Sequence, residues 1–268
     1  MVTFNMAFTL TGITSDATLA AAVLPSSRSV LVGSPATAFA TVINTGVTPA
    51  TSVGIAVNGT VPAAFSYQTT NPATNQVFGT PNTPIDIPAG GRQTYVIALT
   101  PTAPFLPVDV AFSFSGTNTN AALVLPGINT LLLSSSATPV PDVVALAATT
   151  GNDGIVNLPG AHGNGAFAVA TVNVGSAAPI TVTADTGPTV LPVLLFVCET
   201  NPGTGACLAP PAASVTTQID AHETPTFGVF VAGSGAVVFD PANNRVFVRF
   251  NDSGGLTRGS TSVAVRTQ

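Results

Sequence analysis

One stretch of this chain occurs twice, and that repetition limits what the chain can fold into. Gln68-Thr69-Thr70-Asn71-Pro72-Ala73-Thr74-Asn75-Gln76-Val77 returns as Cys198-Glu199-Thr200-Asn201-Pro202-Gly203-Thr204-Gly205-Ala206-Cys207. Thr-Asn-Pro-x-Thr is kept, and only the later copy carries cysteines at its two ends. The apolar run ahead of it repeats too, Val61-Pro62 and Phe65 matching Leu191-Pro192 and Leu195. An Asn-Pro turn between β-rich segments predicts a strand–loop–strand unit in each of two duplicated halves.

Four more segments match in the same order. Phe39-Ala40-Thr41-Val42 aligns with Val169-Ala170-Thr171-Val172, and Asn44-Thr45-Gly46 with Asn173-Val174-Gly175. Each strand is expected to end at an Asn-x-Gly turn whose glycine supplies a positive φ. Ile87 through Tyr95 matches Ile219 through Phe227. Val110, Phe112 and Phe114 match Val246, Val248 and Phe250, and Gly127 to Leu133 matches Gly259 to Val265. The expectation is an all-β chain of two tandem antiparallel β-sandwich domains from an internal duplication, each with seven or eight short strands. Residues 1–15 form an N-terminal β-strand arm, residues 16–136 the first domain and residues 137–268 the second. Ser134-Ser135-Ser136-Ala137-Thr138-Pro139-Val140-Pro141 reads as a semi-rigid linker.

Composition agrees. Charged residues make up 6% of the 268, against roughly 25% in average globular proteins. Lysine and tryptophan are absent, so wet helix faces have few residues to clothe them. Thr, Ser and Asn can supply the polar side of short strands. The net charge of −5 argues against nucleic acid, which needs a basic surface. No run of about 18 apolar residues predicts a membrane span. Met1 to Leu10 has no signal-peptide pattern, and Met1 reads as standing in for a removed leader.

Residues 1–11 alternate strictly, with Val2, Phe4, Met6, Phe8 and Leu10 on one face. That is a strand signal, read either as a first strand of domain 1 or as a strand donated to a neighbour. Cys198 and Cys207 enclose eight residues, a spacing that closes a hairpin loop as a disulfide in an oxidising compartment. A reduced pair of buried thiols is the alternative.

Ala40-Thr41-Val42-Ile43-Asn44-Thr45-Gly46, followed by Pro49-Ala50 and Val53, resembles the Asn-x-Gly strand pair of bacterial surface Ig-like repeats, including the CARDB and DUF11 families. The cystine loop, with Asp240-Pro241-Ala242-Asn243-Asn244-Arg245 and Asn251-Asp252-Ser253-Gly254-Gly255, is similar to repeats in large secreted proteobacterial proteins. The resemblance implies an Ig-like fold and an exported structural or adhesive module, extracellular or at the cell surface, and it carries over no known active site.

Chemistry is sparse. Asn251-Asp252-Ser253-Gly254-Gly255 is close to a serine-protease nucleophile loop, yet the settings of His162 and His222 do not match that family, and a β-turn is the expectation. Two histidines give no zinc spacing, and Asn152-Asp153-Gly154 and Asp240 with Asn243-Asn244 read as Asx turns rather than calcium sites. No catalytic, cofactor or metal residue is assigned, and no enzymatic activity is expected. The absence of tryptophan, with Tyr67 and Tyr95 facing the core, weighs against carbohydrate.

What stands out is a second apolar face in repeat two. Leu194, Phe196 and Cys198 point outward where repeat one has Ala64, Ser66 and Gln68. Phe230 and Phe247 replace Ala98 and Ala111. This face is read either as covered within the chain or as a subunit interface, with Val2, Phe4, Met6, Phe8 and Leu10 of a neighbour as partner and Arg245, Arg249, Arg258 and Arg266 as a polar rim. The function expected is a self-associating surface protein, a filament subunit joined by strand addition. The alternative is a monomeric binding or spacer module of a larger secreted repeat protein.

Overall fold

The computed structural model describes residues 17–268, so the alternating series at residues 2–10 lies outside the described residues. Among those described there is no helix. In the first sandwich β1 (Leu19–Leu24), β3 (Ala36–Asn44), β7 (Arg92–Pro101) and β5 (Ala63–Thr70) lie side by side in that order. The opposing sheet runs β2 (Ser27–Leu31), β9 (Thr130–Ser136), β8 (Phe105–Ser115), β4 (Ala50–Asn58) and β6 (Ile85–Ile87). The second sandwich repeats this plan. One sheet holds β10 (Val143–Thr149), β12 (Asn164–Asn173), β16 (Thr226–Gly233) and β14 (Val193–Thr200). The other holds β11 (Ile155–Leu158), β18 (Thr257–Thr267), β17 (Arg245–Asn251), β13 (Ala178–Asp185) and β15 (Ser214–Ile219).

Each half has nine strands, more than the sequence suggests, because β2, β6 and β11 are too short to carry a period. The pairing is antiparallel except that β2 runs parallel to β9, and β11 to β18.

Strand β3 corrects the sequence alignment by one residue. Asn44 stands opposite Leu19 and Asn173 opposite Val143, while Tyr95 pairs with Ala40 and Phe227 with Val169. Val169 is therefore the equivalent of Ala40, and Phe39 faces outward, 45% exposed. A slip of one residue reverses every side chain in a strand.

The Asn-x-Gly corners also work differently from expectation. Neither Gly46 nor Gly175 has a positive φ. Instead the buried Asn44 and Asn173 accept from the amides two residues on, each at 3.0 Å, and donate both to the following connection, at the Thr48 and Ser176 carbonyls, and to the ends of β6 and β15, at the Ile87 and Ile219 carbonyls. Gly175 is required by crowding: a Cβ there would sit 2.3 Å from the Val140 carbonyl.

Alternating residues build two cores that share no residue. Tyr67 and Tyr95 meet edge to face at 5.8 Å in the first, and Phe227 and Phe250 at 5.5 Å in the second. Full burial of such a ring stabilises by about 1.5–3 kcal/mol. Ser134, Ser135 and Ser136 belong to β9 rather than to a linker.

The sandwiches meet along a seam of small polar residues. Ser26 Oγ donates to the Ser260 carbonyl at 2.8 Å, and the Ser260 amide donates to Ser27 Oγ at 2.6 Å. Arg28 pairs with Asp142 at 2.9 Å, and the Ser29 amide donates to the same carboxylate. Burial pushes the Asp142 carboxyl above its ordinary range, against the pull of Arg28.

Candidate interaction surface

The duplicated loops have the same geometry with and without cysteine. Asn71 Oδ1 accepts from the amides of Ala73 and Thr74, as Asn201 Oδ1 does from Gly203 and Thr204. The Asn71 amide donates to the Gln76 carbonyl and the Asn201 amide to Ala206, both at 2.8 Å. Cys198 and Cys207 are disulfide-bonded, with Cα atoms 5.6 Å apart. The bond thus staples a loop that the Asn-Pro turn already shapes.

Strand β14 carries Leu194, Phe196 and Cys198 to the outer face of its sheet. Phe196 lies directly across from Phe230 on β16, and Phe230 from Ala166 on β12. Leu194 is 60% and Phe196 37% exposed, and Phe230 is half-buried. Cys198 is buried, because the chain at Ala212 pairs with Val197 and closes over that end of the strand. Strand β10 adds Leu146, 48% exposed and opposite Ala170. Sequence reading missed Leu146; alternation with the buried Val143 and Ala145 was the available signal. With Ala148, Ala166 and Ala168, this face has no charged residue.

Phe247 is not part of that surface. It lies on β17, in the opposite sheet, and is only 9% exposed. Its ring is closed in by Gly127 of the first sandwich and Gly187 of the second. Cover by the first domain, one of the two sequence-level alternatives, describes Phe247.

The arginines do not rim the apolar face either, since all four sit on β17 and β18. Arg245 and Arg258 are buried. Arg245 donates to Ser262 Oγ and the Pro241 carbonyl, and burial lowers its guanidinium to about 10. Arg258 pairs with Asp252 at 2.7 Å. Arg249 pairs with Asp185 and stacks over Phe247 at 5.2 Å, while Arg266 stacks over Phe239 at 4.7 Å.

Around Ser253 the structure shows a turn. Asp252 Oδ1 accepts from the amides of Gly254 and Leu256, and its Oδ2 takes Arg258. His162 occupies the β11–β12 connection and His222 the β15–β16 connection, and neither imidazole hydrogen-bonds Ser253. Asp153 accepts from Thr149 and the Ile155 amide, and Asp240 from Asn243, as Asx turns do. Among the described residues no three His, Cys, Asp or Glu side chains converge, and no helix is long and apolar enough to cross a membrane.

This fold and surface define an all-β protein of two tandem Ig-like sandwiches. No protein-family model matches the chain, and no curated protein matches it. Among solved structures it is similar to the secreted serine protease VesC from Vibrio cholerae, at 11% identity over 80% of this chain and 46% of that one, with a TM-score of 0.25. The chain thus spans less than half the length of VesC. It is also similar to a protein of unknown function from Porphyromonas gingivalis, at 12% identity, 92% and 99% coverage and a TM-score of 0.27. A variant of BcpA, the major pilin subunit of Bacillus cereus, aligns at 11% identity, 81% and 70% coverage and a TM-score of 0.27. At such scores none of the three carries an argument about this chain.

Proposed function

We propose that this chain is an exported structural or adhesive protein that associates with itself, built of domains at residues 16–136 and 137–268, and that its role is non-catalytic. The observation that carries this reading is the uncharged outer face of the β10–β12–β16–β14 sheet, where Leu146, Leu194 and Phe196 stand exposed beside Phe230. Uncovered apolar surface of this kind marks contact sites. The disulfide supports an oxidising, extracellular setting.

The size of the face sets the strength of the contact. Four strands of about seven residues present roughly 19 by 23 Å, so two copies bury on the order of 900 Å². Stable pairs bury about 1,200 Å² or more. Association through this face alone is therefore weak and concentration-dependent, and a lasting fibre needs a second contact, the strand addition by residues 2–10.

Sedimentation velocity across a hundredfold range of concentration tests the reading. The parent is expected to form oligomers, and Leu194→Ser/Phe196→Ser to require at least tenfold more protein. A parent that stays monomeric throughout overturns it.

A further inference from the structure

The sequence holds two Asn-Gly dipeptides, Asn58-Gly59 and Asn164-Gly165. In this pair the asparagine side chain is readily attacked by the next backbone nitrogen, because glycine puts no Cβ in the way. The fold treats the two sites differently. Asn58 is the last paired residue of β4, opposite Ala111, and the ladder stops there. Its side chain is exposed and makes no hydrogen bond among the described residues, and neither does the Gly59 amide. Gly59 turns away at φ +101°, with open space where a Cβ would stand. Asn164 and Gly165 instead lie within the β12–β16 ladder, opposite Ala232 and Val231. A Cβ on Gly165 would sit 2.5 Å from the Val156 side chain, so that backbone is packed as well as paired. Ring closure swings the asparagine ψ out of the extended range, which a residue inside a ladder does only by opening locally. Asp153-Gly154, where a carboxyl could react in the same way, is tied as well. The Gly154 amide donates to Thr149 Oγ1, and Asp153 Oδ1 accepts from the Ile155 amide.

The second sandwich has a carboxylate at the place equivalent to Asn58. Val182 pairs with Phe250 as Ile55 does with Phe114, and Asp185 with Phe247 as Asn58 does with Ala111. Asp185 is neutralised by Arg249, two residues along the facing strand from Phe247. The matching residue in the first sandwich is Ser113. On the other diagonal stands Asp109, which borders one depression of about 120 Å³ together with Asn58. A carboxylate formed at position 58 therefore gains no cation on that strand and meets a like charge within diagonal reach.

We propose that Asn58 is a site of spontaneous modification, converting to aspartate and isoaspartate as the folded protein ages while Asn164 is preserved, and that the new carboxylate weakens the first sandwich. The Gly59 nitrogen bonds to Asn58 Cγ as the Cγ–Nδ2 bond breaks, and Nδ2 leaves as ammonia with the proton of the Gly59 amide. Water then opens the resulting succinimide at either carbonyl. The conversion needs no enzyme and does not depend on self-association.

Peptide mapping by mass spectrometry of the full chain, held at about pH 8 and digested with chymotrypsin, tests the site. The Asn58 peptide is expected to gain one mass unit, split between two chromatographic forms, roughly ten times faster than the Asn164 peptide. In urea-unfolded chain the two are expected to convert at similar rates. Equal rates in the folded protein, or an Asn58 that persists there while the unfolded chain converts, overturn the site. Asn58→Asp supplies the product directly. Its urea midpoint at neutral pH is expected below the parent's, and the drop to be smaller when the same change is made in an Asp109→Asn chain. No drop, or the same drop in both backgrounds, overturns the charge clash.

Discussion

The Phe247 ring of the second sandwich lies against Gly127 of the first, so closely that a Cβ on Gly127 would stand 2.6 Å from Cε1. One aromatic residue and one bare backbone position thus join the two halves, beside the serine seam and the Arg28–Asp142 pair. Phe247→Ala is expected to lower the unfolding free energy by about 3 kcal/mol, the lower end for a buried phenylalanine. Urea titration checks this, and a loss below about 1 kcal/mol would show that the ring is not holding the halves together.

The cystine closes a short loop whose twin in the first sandwich keeps its shape with Gln68 and Val77 in place of the cysteines. Cys198→Ser/Cys207→Ser should therefore cost about 2–3 kcal/mol, the chain-entropy value for a loop of this length, without disordering residues 199–206. Calorimetry measures the first part. Amide exchange at Gly203 and Thr204, whose N–H groups are held by Asn201, measures the second; loss of their protection would mean that the disulfide, not the Asn-Pro turn, shapes the loop.

Acid should act on the seam and on the β17–β18 turn with opposite signs. Burial raises the Asp252 carboxyl, but the hydrogen bond from Arg258 and those from the Leu256 and Gly254 amides outweigh it and hold the group below its ordinary value. Its contribution is present above the unfolded pKa of about 3.9 and is lost as pH falls through the folded value. The folded Asp142 pKa is raised instead, so that carboxyl favours folding more as pH drops from the folded value toward the unfolded one. Asp252→Asn is expected to flatten the loss of stability below about pH 4, and Asp142→Asn to leave that acid limb in place. Urea titrations between pH 2 and 7 decide; an unchanged acid limb in Asp252→Asn would remove the Arg258 pair as its cause.

Much of the fold was legible in the residues. Alternation marked the strand with Val110, Phe112 and Phe114 and its counterpart with Val246, Val248 and Phe250, and all six are core residues. The repeated Thr-Asn-Pro-x-Thr marked the twin loops. The alignment slipped at β3 because Ala40-Thr41-Val42 is identical to Ala170-Thr171-Val172, whereas in the structure Ala40 corresponds to Val169 and none of the three residues is matched by its own kind. Only the cross-strand partners Tyr95 and Phe227 distinguish the two registers.

By itself the sequence determined what is local: strands from period two, turns from Asn, Pro and Gly, and the doubling of the whole pattern. The tertiary structure decided which outward apolar residues meet water. Phe230 and Phe247 are alike in sequence, each an odd phenylalanine on the polar side of an alternating strand, yet one faces an open sheet and the other is closed in by Gly127. Period records the two faces of a strand. What covers the outer face comes from a segment 120 residues away, and no local pattern encodes that contact.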